Sequence, residues 1–147
     1  MKLSTRGRYG TRALLELALH HREGPVPLKD IAQSQQIPLQ YLEHLITPLV
    51  TAGIIRSTPG ARGGVWLARS PQKIKLSEVI GLLEGSIALV ECISDPKCCP
   101  RSDFCVTRDI WGELKKVMDE VLESTTLQDL VERQKRKGQP EEVMYHI

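Results

Sequence analysis

Hydrophobic positions in the first third of the chain recur at the spacing of amphipathic helices. They predict a helix over residues 9–20, a second, shorter one from Leu28, and a third after the interruption at Ile37 and Pro38. The apolar positions that carry these predictions are Leu14, Leu17 and Ala18, then Leu28, Ile31 and Ala32, and finally Leu42, Leu45, Ile46 and Leu49. The order is that of a helix followed by a helix-turn-helix pair.

Two short apolar runs follow, over residues 54–58 and 65–68. The six residues between them, Pro-Gly-Ala-Arg-Gly-Gly, have the composition of a β-hairpin loop. A hairpin directly after a helix-turn-helix is the element order of a winged helix. Residues 77–84 predict one more short helix, with Ser77 as its N-cap.

The strongest helical pattern lies over residues 107–122. Its apolar residues recur at close to seven-residue spacing, which favours pairing with a second copy of the same helix. The predicted dimer interface consists of Ile110, Trp111, Leu114, Val117 and Val121. Residues 132–147 are polar and charged and are expected to form a flexible tail.

Charge is divided unevenly along the chain. Residues 1–75 contain eleven Lys and Arg and four acidic residues, which gives +7, whereas the rest carries nine bases and fourteen acids, or −5. A basic front half favours a polyanionic partner. No apolar run has the length of a signal peptide or a membrane span, so we expect a soluble, cytoplasmic protein with no membrane partner. The sequence contains no recognisable catalytic motif, so we do not expect an enzyme.

The polar face of the third helix is the candidate reader of DNA, because an α-helix fits the major groove. On this helix alone, an ordinary solvated surface is an equally good interpretation. The arginines of the hairpin and of the N-terminus add contacts suited to phosphates or a narrow minor groove. The candidate DNA-binding residues are Arg6, Arg8, Gln40, Tyr41, Glu43, His44, Thr47, Arg56 and Arg62.

All four cysteines lie within fourteen residues, at positions 92, 98, 99 and 105. Clustering of this kind indicates metal or redox chemistry rather than a disulfide scaffold. Adjacent thiols do not easily bind one ion together, so we expect three principal ligands, and the spacing does not choose between Cys98 and Cys99. The residues alone leave an iron–sulfur cluster, zinc and free thiols open.

From residue 1 to about residue 131 the chain resembles the family of IscR and NsrR, winged-helix regulators with cluster-binding cysteines. The resemblance rests on residues 1–10, on residues 37–43 of the recognition helix, on residues 60–64 of the hairpin, on the cysteine segment and on residues 126–130. It implies that Cys92, Cys99 and Cys105 bind the cluster, with Cys98 as the alternative to Cys99, and that cluster binding or loss alters DNA binding.

The fourth ligand is where this sequence departs from the family. IscR-like members supply a histidine at the position of Arg108, and NsrR-like members supply a carboxylate near the start of the first helix, where this chain has Arg6, Arg8 and Arg12. The remaining candidates are Cys98, Asp103, Asp109 and a partner residue such as Glu16. The cluster type stays open, with 2Fe–2S preferred over 4Fe–4S.

These observations predict a mainly α fold with a small β-hairpin wing. Residues 1–84 form the winged-helix DNA-binding domain, 85–106 the cysteine loop, 107–131 a dimerisation helix with a short end helix, and 132–147 the tail. The predicted function is that of a homodimeric repressor whose binding to a double-stranded DNA operator is controlled by an iron–sulfur cluster. The alternatives are the same regulator with zinc or free thiols, and an iron–sulfur carrier or redox protein that does not bind DNA.

Overall fold

The computed structural model describes residues 2–138 and contains, within them, seven α-helices and one two-stranded antiparallel sheet. In chain order these are α1 (Thr5–Leu19), α2 (Leu28–Gln35), α3 (Leu39–Thr51), β1 (Ile55–Thr58), β2 (Gly64–Leu67), α4 (Leu76–Glu84), α5 (Glu91–Ser94), α6 (Val106–Ser124) and α7 (Leu127–Lys137). The mainly helical winged-helix fold predicted from the sequence is confirmed. None of the helices in this part of the chain is long and apolar enough to cross a membrane.

The tight turn between α2 and α3 is set by local backbone geometry. Gln36 ends α2 in the left-handed conformation, with φ of 55°, and the Ile37 amide donates to the Ala32 carbonyl at 2.9 Å. Pro38 then precedes α3 with φ of −56°, the angle that its ring imposes. Helix α3 continues through Pro48 to Thr51.

The core lies where α1, α2, α3 and the sheet meet. Leu14, Ile31, Leu42 and Leu49 are fully buried there, so the apolar faces predicted from the sequence point inward. Burial of one such side chain stabilises a fold by about 1.5–3 kcal/mol. The opposite face of α3 is therefore directed to solvent.

The hairpin formed by β1 and β2 is fixed to the α1–α2 connection. Val26 and Val65 exchange two backbone hydrogen bonds of 2.9 Å, which adds a third extended segment beside β2. A Cβ atom at Gly64 would lie 2.4 Å from the Val26 carbonyl oxygen, so this close approach requires glycine. The base of the wing is thus held rigidly against the helical core.

Helix α4 crosses α1 closely because Gly10 has no side chain. A Cβ atom there would lie 2.3 Å from a methyl group of Leu83. At the same crossing the Glu84 carboxylate accepts from the backbone amides of Ser4 and Gly7, at 3.0 and 3.1 Å. It satisfies free N–H groups at the start of α1, where negative charge is favoured. This contact joins α1 to the segment that leads into the cysteines.

Several features differ from those expected from the sequence. Helix α1 begins at Thr5 rather than at residue 9. The N-cap of α4 is Lys75 and not Ser77, because a bridge between Lys75 and Thr126 keeps Lys75 extended, and the Ser77 hydroxyl instead donates to Glu123 at 2.7 Å. The cysteine segment contains α5 and two 3₁₀ turns rather than loop alone. Helix α7 passes residue 131 and ends at Lys137, so residues 132–137, expected in the flexible tail, are helical. The predicted tail residues 139–147 lie outside the described residues.

Candidate nucleic-acid interface and cysteine loop

The solvent side of α3 carries a continuous polar surface. Gln40, Glu43, His44 and Thr47 are exposed, while the opposite face of the helix is buried in the core through Leu42, Leu45, Ile46 and Leu49. Amide, carboxylate, imidazole and hydroxyl groups can each bond to base edges in a major groove. The structure therefore brings four of the predicted DNA-binding residues together on one helix face.

Tyr41 lies differently from these four residues. It is half-buried, and its ring meets the ring of Tyr9 edge-on, with centroids 5.6 Å apart and planes at 90°. This arrangement is one that aromatic pairs favour. Tyr41 thus joins the first turn of α3 to α1.

The wing presents its arginines to solvent. Arg56 lies on β1 opposite Trp66, and Arg62 lies in the loop that follows Gly60, whose φ of 102° suits a residue without a side chain. Neither guanidinium forms an ion pair with another residue from 2 to 138. Their charge is available to an anionic partner.

The three arginines of α1 have different surroundings. Arg6 and Arg8 are exposed, and Arg8 donates to the Thr5 hydroxyl at 3.3 Å. Arg12 instead reaches across to α2, where it donates to the backbone carbonyl and side-chain oxygen of Gln35. No periodicity in the sequence reveals this contact, because the two residues are 23 positions apart and their proximity depends on how α1 packs on α2.

The cysteines lie on a short, largely exposed segment before α6. Cys92 is on α5, Cys98 ends a 3₁₀ turn, and Cys105 immediately precedes α6. Cys98 is exposed and the other three thiols are partly accessible. Among residues 2–138, no three His, Cys, Asp or Glu side chains converge on one metal-binding position.

Several contacts hold this segment in its described conformation. Buried Ser102 donates to the carbonyls of Pro96 and Cys99, at 2.7 and 3.0 Å, and Arg108 donates to the Cys92 carbonyl at 3.2 Å. Arg108, at the position where the resemblance to IscR-like proteins implies a histidine ligand, thus donates to the backbone of the cysteine segment.

Two thiols of the segment, Cys98 and Cys105, differ in acidity. A hydrogen bond with the Thr107 hydroxyl, 3.2 Å from the sulfur, lowers the pKa of Cys105, assisted by the backbone of Arg108. Desolvation and the charge of Glu91 raise the pKa of Cys98. Cys105 is therefore the more readily ionised of the two.

Helix α6 has no buried residue in the single chain. The five residues predicted at the dimer interface are all exposed, from 36% for Trp111 to 57% for Val121. Four of them, Ile110, Leu114, Val117 and Val121, lie within about 60° of one another around the helix axis. They form one narrow apolar stripe, which we call the α6 stripe.

A protein-family model described as an iron-dependent transcriptional regulator, Rrf2, matches residues 3–133. The chain is 51% identical over 131 residues to the protein rrf2 of Nitratidesulfovibrio vulgaris, covering 89% of this chain and 87% of that one. It is 40% identical to the transcriptional regulator CymR of Bacillus subtilis over the full length of both proteins.

Two solved structures are similar to the whole fold. One is CymR of B. subtilis, described as the global cysteine regulator, with a TM-score of 0.78 over 91% of this chain and 98% of that one. The other is T. potens IscR, 40% identical, with a TM-score of 0.78 over 99% and 96% of the two chains. The protein described here therefore belongs to the Rrf2 family of DNA-binding transcriptional regulators.

Proposed function

We propose that this protein is a homodimeric repressor that binds a pseudo-palindromic operator and that its cysteine segment controls this binding by holding an iron–sulfur cluster. The observation that carries DNA binding is the exposed polar face of α3, together with wing arginines that pair with no acidic side chain among residues 2–138. A solvated surface helix accounts for the first feature but gives no reason for the second.

The proposed operator contacts divide by chemistry. Gln40, Glu43, His44 and Thr47 contact base edges, where a well-formed bidentate pair discriminates by about 1–3 kcal/mol. Arg6, Arg8, Arg56 and Arg62 contact phosphates or a narrow minor groove and contribute affinity that depends on salt. Tyr41 contributes through the orientation of α3, because its ring packs on Tyr9.

Dimerisation is proposed through the α6 stripe. Exposure of the four aligned apolar side chains to water is unfavourable in free energy. A twofold partner would bury the same four side chains on each helix. The seven-residue recurrence suits two helices that cross at a small angle. A twofold dimer in turn requires an operator with two half-sites.

The chemistry of the donor set fits an iron–sulfur cluster. Cys92, Cys99 and Cys105 would hold it, with Cys98 as the alternative to Cys99, and 2Fe–2S is preferred over 4Fe–4S. Because no three donors converge in the described conformation, cluster binding requires the segment to close further. A bound cluster supplies a group that responds to iron–sulfur status, redox state or nitric oxide.

The segment is placed to influence DNA binding from both of its ends. It begins after Glu84, whose carboxylate bonds to the start of α1, and it ends at α6, which carries the proposed dimer interface. A change in the conformation of the segment can therefore alter α6, and with it the spacing of the two recognition helices in the dimer, and can also alter the position of α1.

A second candidate is a regulator of the same fold without a cluster, controlled by a partner protein or by thiol oxidation, or carrying zinc. The full-length similarity to a protein described as a cysteine regulator favours this alternative. Iron and sulfide content of anaerobically purified protein distinguishes it from the cluster-containing regulator.

Footprinting tests the dimeric reading of DNA. We expect two protected half-sites whose centres lie about 34 Å apart, or a multiple of that distance, because one face of the duplex recurs each helical turn. A single short asymmetric footprint would contradict the twofold arrangement.

Replacing Arg62 with Ala tests the wing. If its guanidinium contacts a phosphate, affinity should fall for all sequences, and the slope of log K against log salt should flatten by about 0.9. Arg69→Ala is a suitable control, since Arg69 is paired with Glu78 at 2.6 Å. Unchanged affinity and slope for Arg62→Ala would remove the wing tip from the interface.

A further inference from the structure

We propose that Arg12 is a positioning residue that fixes the orientation of the recognition helix and does not itself contact DNA. The inference rests on the proposed reading of the operator by α3. Arg12 follows Arg6 and Arg8 on α1 and is exposed like them, yet its guanidinium bonds to Gln35 of α2.

The first contact of Arg12 is with the end of α2. Its guanidinium donates to the backbone carbonyl of Gln35, and its Nε donates to the Gln35 side-chain oxygen at 3.3 Å. Gln35 is the last residue of α2, where carbonyls lack partners within the helix and positive charge is favoured. The next residue, Gln36, makes the left-handed turn that sets the direction of α3.

The Gln35 amide is held from its other side as well. Its Nε2 donates to Glu16 Oε2 at 2.8 Å, and the Glu16 side chain is only 13% exposed. Arg12 and Glu16 lie one turn apart on α1 and so grip one amide group between a donor and an acceptor. This arrangement, which we call the Gln35 clamp, fixes the end of α2 relative to α1.

A second contact reaches the start of α3. The Arg12 guanidinium carbon lies 5.7 Å from the centre of the Tyr9 ring, which packs edge-on against Tyr41. Tyr41 is adjacent to Gln40 and two residues before Glu43, both on the proposed reading face. One arginine thus supports the turn before α3 and, through Tyr9, its first turn.

The clamp should matter for specific binding and not for non-specific binding. Base contacts require α3 at one orientation in the groove, and apparent affinity falls in proportion to the fraction of protein that has this orientation. Binding to arbitrary DNA depends on phosphate neutralisation, which tolerates small rotations of the helix. Loss of the clamp therefore lowers the ratio of specific to non-specific affinity.

Arg12→Lys is the most informative substitution, because it keeps the charge and removes the planar fork that reaches both Gln35 oxygens. The probes are a duplex selected by the wild-type protein from a random-sequence pool and a scrambled duplex of equal composition. We expect about tenfold weaker binding to the selected duplex, the order expected for a hydrogen bond to a charged group. Binding to the scrambled duplex and the salt slope should stay unchanged, which also shows that the variant is folded.

Arg12→Gln and Gln35→Ala should behave in the same way, and the double variant Arg12→Lys/Gln35→Ala should lose less than the sum of its parts. Arg69→Lys, a matched change in a surface ion pair, should bind both duplexes normally. If Arg12→Lys binds like the wild type while Arg12→Gln loses affinity for both duplexes, Arg12 is a phosphate contact and the inference is overturned. Normal binding by Arg12→Lys, Arg12→Gln and Gln35→Ala would overturn it as well. A wild-type protein that selects no sequence would instead refute the proposed function.

Discussion

Replacing Leu114 and Val117 together with Asp is expected to convert the protein into a monomer. Both residues lie in the centre of the α6 stripe, and in a twofold dimer the double change places four carboxylates where four aliphatic side chains were buried. Each lost burial costs about 1.5–3 kcal/mol, so the dimer should weaken on the order of a thousandfold or more. Sedimentation velocity at micromolar concentration measures the change directly.

Lys116→Asp is the matched control for this experiment. It lies on the same helix, away from the stripe, is exposed, and alters the net charge by the same two units as the double variant. It should remain dimeric. The monomeric variant should also lose most of its affinity for a two-half-site operator, because the second recognition helix is no longer held beside the first. A double variant that sediments as a dimer would place the interface elsewhere.

Removing any one of Cys92, Cys99 and Cys105 should abolish the cluster. Each Cys→Ala change eliminates one of the three thiolates that we propose as cluster ligands. All three variants should be colourless and free of iron and sulfide when purified anaerobically. The winged-helix domain should stay folded, since its core contains no cysteine, and circular dichroism checks this point.

Cys98→Ala is the control within the same segment. Cys98 is the exposed thiol of the four, and on the proposed assignment its variant keeps the cluster, with at most a shifted potential. If Cys98→Ala is colourless and Cys99→Ala is coloured, the second ligand is Cys98 and not Cys99.

The winged-helix domain could be predicted because its information is local. The spacing of Leu42, Leu45 and Leu49 fixes which face of α3 is buried, and the glycines of residues 59–64 indicate the hairpin without reference to distant segments. The exposed stripe of α6 follows from the same periodicity. Local patterns of this kind persist unless tertiary contacts override them.

The contacts that connect elements could not be predicted in this way. The approach of Arg12 to Gln35, and of Glu84 to the start of α1, depends on packing angles that no short segment encodes. Ser77 looked like an N-cap because its type is favoured there, but the bridge between Lys75 and Thr126 shifts the start of α4. The two ends of α7 are marked in the sequence. The Thr126 and Asp129 capping box indicates its start, and the basic residues of its last turn indicate its end.

One anaerobic preparation of the unmodified protein shows directly whether an iron–sulfur cluster controls operator binding. Iron and acid-labile sulfide are quantified, and affinity for the selected duplex is measured before and after the cluster is removed. We expect a coloured protein with iron and sulfide in equal amounts and a clear change in affinity on cluster removal. Protein that contains zinc or no metal, or whose affinity is the same with and without the cluster, would contradict this expectation.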